Sequence, residues 1–82
     1  MTTFAIFADF TGMYQGAFEA KDGQSAMEAF VDEIGTDDTG TSGLSAFYVT
    51  ADELAQIEAW TEAGSVDEAP EFLYESARRV RG

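Results

Sequence analysis

The sequence predicts a single α+β domain over residues 1–82. It is read as a three-stranded antiparallel sheet of order 2-1-3, packed by two or three helices in the order ββαβαα. Three observations predict it. Two runs rich in aromatic and aliphatic residues, TFAIFADF and YQGAFEAK, are separated only by turn chemistry. The apolar spacing then switches to a helical one in QSAMEAFVDEI. Finally, 82 residues of which 45% are apolar suffice for one core and no more.

Taken in order, residues 3–10 alternate as a strand does, and Thr11-Gly12 turns the chain. Residues 14–21 form the return strand of a hairpin, which Asp22-Gly23 closes. Residues 24–34 place Ala26, Met27, Phe30, Val31 and Ile34 on one stripe, and Gly35 stands where a helix-terminating glycine belongs. The loop TDDTGTSG follows, and residues 44–50, LSAFYVT, make a third strand. Thr50 and Glu53 match a capping box at the head of ADELAQIEAWTEA, whose inner face is Leu54, Ile57 and Thr61 with Trp60 at its margin. Gly64 ends that helix. Pro70 opens a last helix, PEFLYESARRV, whose late arginines complement its C-terminus.

A right-handed crossover sets the third strand beside the first and puts the helices on one face of the sheet. Period two then directs Phe4, Ile6, Ala8, Phe18, Ala20, Phe47 and Val49 toward the helices. Ala5, Phe7, Asp9, Ala17, Glu19, Ala46 and Tyr48 are directed away from them. Phe7 and Tyr48 are the large apolar members of that second face, which makes them a candidate dimer face.

Composition excludes most chemistry. The chain has no cysteine and no histidine, so thiolate metal sites, disulfides and the commonest general base are all absent. Its serines lack a base, its one lysine (Lys21) sits at a strand end, and a thin single layer pair offers no deep cleft for paired carboxylates. A calcium loop started at Asp37 meets Ser42 where glycine is required, and one started at Asp32 meets Ile34 at its third position. No enzyme, cofactor or metal site is therefore expected. The N-terminus lacks the positive segment of a signal peptide, and no apolar run approaches the roughly 20 residues that span a bilayer. A soluble cytoplasmic protein is expected.

Charge is the outlier. The net charge is −12, and residues 1–77 hold a single lysine against all sixteen acids, or −15. Such a chain repels nucleic acid and anionic membranes, so its partners should be basic proteins. Like charges stand four apart at Glu28 and Asp32, at Glu58 and Glu62, and at Glu71 and Glu75. Each such pair costs a few tenths of a kcal/mol, roughly 0.2–0.5, when no lysine intervenes. Two accounts of this repulsion are open. The negative surface can serve binding, with Glu28, Asp32, Glu33, Asp37, Asp38, Glu58 and Glu62 occupying a basic groove built for DNA. Alternatively, it can be a salt adaptation of a small halophilic domain, since high salt screens the repulsion. A structural dimer through Phe7 and Tyr48 is a third reading, from a different class.

In its start MTTFAIFADF, its hairpin into YQGAFEA, its amphipathic QSAMEAFVDEI and its uncompensated acids, the chain resembles the small acidic anti-CRISPR proteins of phages and mobile elements. The likeness is to inhibitors of type I surveillance complexes above all. That resemblance implies a non-catalytic inhibitor, acting in a host cytoplasm, that binds a Cas protein at the basic residues receiving target DNA.

Overall fold

The computed structural model describes residues 2–35, 43–64 and 69–81. Its elements are β1 (Thr2–Ala8), β2 (Tyr14–Ala20), α1 (Gly23–Ile34), β3 (Leu44–Tyr48), α2 (Ala51–Glu62), two 3-10 turns (Glu71–Tyr74 and Ser76–Arg78) and β4 (Arg79–Arg81). The sheet is antiparallel throughout, with strand order β2-β1-β3-β4. The α+β class and the 2-1-3 core of the sheet agree with the sequence reading. A fourth strand extends it at the β3 edge.

Two 3-10 turns and the start of that strand stand in place of the expected third helix. Residues 70–80 leave helical geometry because their side chains find partners on separate surfaces. Phe72 and Leu73 pack on one side of the sheet, Val80 reaches α1 on the other, and Arg78 and Arg79 meet Glu53 and Asp9. One helical stripe cannot serve all of these, so tertiary contacts override propensity.

The helices lie on opposite faces, not on one. Antiparallel register pairs Phe4 with Tyr48 and Ile6 with Ala46, which puts Leu44, Ala46 and Tyr48 on the face with Phe4. Phe47 and Val49 therefore point the other way, the reverse of the expected phase. The first face is closed by α1, whose Ala26, Met27, Phe30 and Val31 pack on Phe4, Ile6, Ala20 and Ala46. The second is closed by α2 and the C-terminal turns, with Ile57, Leu54, Trp60, Phe72 and Leu73 over Ala5, Phe7, Phe47 and Val49. Both faces of the sheet are apolar, so alternation alone could not assign phase.

The same geometry removes the expected dimer face. Phe7 is 6% exposed beneath α2, while Tyr48 is 47% exposed on the α1 side, edge-on to Phe4. They do not share a surface. Ile34, expected on the inner stripe of α1, is also half exposed.

Local signals explain the helix ends. The Asp22 side chain accepts the Ser25 N–H at 2.8 Å, and Gly35 closes α1 in the left-handed region at φ 74°. At α2, Thr50 accepts the Glu53 N–H at 3.2 Å while the Glu53 carboxylate accepts the Thr50 N–H at 3.0 Å, completing the anticipated capping box.

Candidate functional site

The acids singled out from the sequence stand on both helices. Glu28, Asp32 and Glu33 are exposed on α1, and Glu58 and Glu62 are exposed on α2. Because the helices cover opposite faces, these five do not form one patch on one face. Two groups approach the same edge of the sheet instead. Glu33 lines a groove with Gln15, Gly16, Phe18, Phe30 and Ile34 on the α1 side of β2. Glu58 and Glu62 line another with Tyr14, Ala55 and Thr61 on the α2 side. β2 is the terminal strand of the sheet and runs between them. Asp37 and Asp38 lie outside the described residues.

Electrostatics follow this layout. The Tyr14 hydroxyl has its pKa raised, first by burial and then by the nearby Glu58 charge. Asp22 is held below the usual carboxylate range, chiefly by the Ser25 backbone hydrogen bond. The Thr61 hydroxyl oxygen is buried with no hydrogen-bond partner among the described residues. Glu28 accepts a long hydrogen bond from the Gln24 amide, 3.4 Å.

The tail arginines are turned to internal use. Arg78 meets Glu53 at 2.7 Å and Glu75 at 3.7 Å, and Arg79 meets Asp9 at 2.9 Å. These are the ion pairs among the described residues, and none of them includes Glu28, Asp32, Glu33, Glu58 or Glu62. Glu53 is held below the ordinary glutamate range, first by its hydrogen bond from Arg78 and then by the Thr50 backbone. Arg78 and Arg79 thus pair with Glu53, Glu75 and Asp9, and among the described residues no ion pair reaches the outward helix acids.

Sequence reasoning missed the polar cluster that Arg79 completes. Ser45, fully buried, donates to Asp9 and accepts from the Arg79 guanidinium at 3.1 Å. The available signals were a serine inside an apolar strand and an aspartate ending one. Asp9 and Arg79 border a groove of about 180 Å³ walled by Phe7, Phe47, Trp60 and Leu73. Ligand pockets run from about 300 Å³ upward, and the polar end of this groove is occupied by its own ion pair, so it is poorly suited to a small molecule. The hairpin tip is a second unanticipated feature: Phe10 is 99% exposed and Met13 58%, immediately before β2.

Among the described residues no group of three or more acids could hold a metal ion, and no helix is long and apolar enough to cross a membrane. No protein-family model, curated protein or solved structure matches this chain.

Proposed function

We propose that this domain is a non-catalytic protein ligand whose acidic surface occupies a basic, nucleic-acid-binding site of another protein. The observation that carries this reading is the division of charge. Arg78 and Arg79 face Glu53 and Asp9, while the exposed carboxylates of Glu28, Asp32, Glu33, Glu58 and Glu62 enter no ion pair among the described residues. Magnitude supports it as well. The molecule is 33 Å long, and a DNA duplex of that length carries about 19 phosphate charges. A net charge of −12 is of the same order, which a single helix could not approach. The resemblance to anti-CRISPR proteins directs the choice of partner to a DNA-binding subunit of a type I surveillance complex.

The test is competition. The protein is titrated into such a complex bound to labelled target DNA over a range of salt. Displacement is expected, with an affinity that falls as salt rises. Charge reversal at Glu58 and Glu62, and separately at Glu28 and Asp32, should weaken it by about tenfold or more. Displacement unaltered by both double variants would overturn the reading, as would failure to displace DNA at all.

Salt adaptation is favoured by one specific observation, the spread of unpaired acids over both helix-bearing faces. It makes a different prediction: unfolding in dilute buffer and recovery in molar salt. A fold equally stable in both conditions removes it.

A further inference from the structure

The two edges of the sheet are unlike. β4 is three residues long, carries arginines at both ends, and its Arg79 is held by Asp9. Short, basic edge strands discourage pairing with another chain. β2 is seven residues, has neither lysine nor proline, and its one charged residue is Glu19. Its register with β1 shifts between Ile6 and Phe7, leaving Gln15 as an extra residue, and is regular from Gly16 to Ala20. Among the described residues no strand lies outside it. Alternate residues of such a strand turn their N–H and C=O groups away from the sheet, where a further strand can take them.

We propose that the outer edge of β2 is a strand-pairing site for an extended basic segment of a partner protein. This deepens the function proposed above and rests on its basic partner. Charge complementarity identifies the occupant. An added strand sends successive side chains to opposite faces. On the α2 side they meet Glu58 and Glu62 beside Tyr14. On the α1 side they meet Glu33, with half-exposed Ile34 and the partly buried Phe18 ring next to it. The α2 side thus selects arginine or lysine at every second position. The α1 side accepts a basic or aliphatic residue at the positions between. Lys21, just past the end of β2, is the cation closest in sequence and disfavours the Ala20 end, so pairing is centred on the regular stretch that starts at Gly16 and runs to Phe18. Backbone pairing supplies affinity without a deep pocket, and the flanking acids set register and sign.

The probe is a short blocked peptide of alternating arginine and valine, titrated into the isotope-labelled full chain. Saturation should slow exchange of alternate β2 amides by about tenfold or more. Methylating alternate backbone nitrogens of the peptide should abolish binding. E58K/E62K, checked for folding by circular dichroism, should weaken binding about tenfold. An alternating glutamate–valine peptide should not bind, and equal binding by it overturns the basic occupant. Binding that leaves β2 exchange unchanged, or that survives methylation, overturns the edge as the site. So does a peptide that fails to bind while the protein still displaces DNA from a basic groove, and that outcome leaves the broader function standing. Failure of both assays overturns both.

Discussion

The two faces of the sheet are closed by different means. On one face a single helix suffices. α1 lays Ala26, Met27, Phe30 and Val31 on Phe4, Ile6, Ala20 and Ala46 in one apolar cluster. On the other face α2 buries only Ile57 fully, and Leu54, Trp60, Phe72 and Leu73 complete the cover from two separate segments. That cover is held at its margin by charges. Arg78 reaches Glu53 across 25 positions and lies 5.6 Å from the Phe72 ring, and Arg79 reaches Asp9 across 70 positions and lies 5.7 Å from the Phe47 ring. Local periodicity can close a face by itself. Where the helix is too polar to do so, as α2 is, distant segments have to be recruited, and ion pairs fix where they land.

The largest expected effect separates the two cores directly. Ile6 and Ile57 are both fully buried, one on each face. Truncation to alanine costs about 2–5 kcal/mol at such sites, the cost rising with the cavity that fails to collapse. Ile6 sits in the central strand beneath a continuous helix, so Ile6→Ala should fall in the upper part of that range. Ile57 packs beside Phe7 and Phe47, which already border an open groove, and its surroundings can relax. Ile57→Ala should fall in the lower part. Urea unfolding of the two variants decides, and equal losses would mean that the composite face is packed as tightly as the helical one.

A smaller effect tests how the C-terminal strand is joined to the α1 side. A Cβ placed on Gly23 would stand 2.8 Å from Val80 Cβ and 2.9 Å from one of its methyls. Helix propensity alone favours alanine over glycine by up to about 1 kcal/mol. The overlap opposes it and should win, with a net loss of about 1–3 kcal/mol for Gly23→Ala. Adding Val80→Ala should restore most of the loss, because the two side chains contend for one space. A stabilised single variant would show that β4 yields easily and that the α1 face does not depend on it.

What could be read from the sequence follows the same division. The hairpin, α1 with its Asp22 and Gly35 caps, and the Thr50–Glu53 capping box all rest on contacts within a few residues. Each appears where spacing put it, except the Asp22 cap, since the sequence presented Asp22 only as a turn residue. The order 2-1-3 follows from chain connectivity. Strand phase was not legible at β3, because LSAFYVT is apolar at both parities and either register buries a good set. The C-terminal segment was not legible either. Residues 70–80 satisfy a helical pattern in isolation, and only the long-range partners of Phe72, Arg78, Arg79 and Val80 show why they take another path. The candidate site shares the limit. Glu28, Asp32, Glu33, Glu58 and Glu62 are exposed, but the grouping of Glu33, Glu58 and Glu62 about the β2 edge depends on which face each helix covers.

The smallest effect concerns the charged margin of the α2 face. Glu53 is depressed below its ordinary value of 4.5, so its ionised form is favoured in the folded state. The stability it contributes is fully present above that ordinary value and is lost as pH falls through the depressed one. Arg78 is shifted upward, first by its hydrogen bond to Glu53, so its own contribution is complete throughout the accessible range and gives no slope. Replacing Glu53 by Gln keeps the shape and an acceptor for the Thr50 N–H but removes the titration. The stability difference between the parent and Glu53→Gln should therefore be constant from neutral pH down to about pH 4.5 and shrink below it. Parallel profiles for Glu53→Gln and the parent across the acid range would mean that Arg78 does not hold the margin, and that the composite face is closed by its apolar contacts alone.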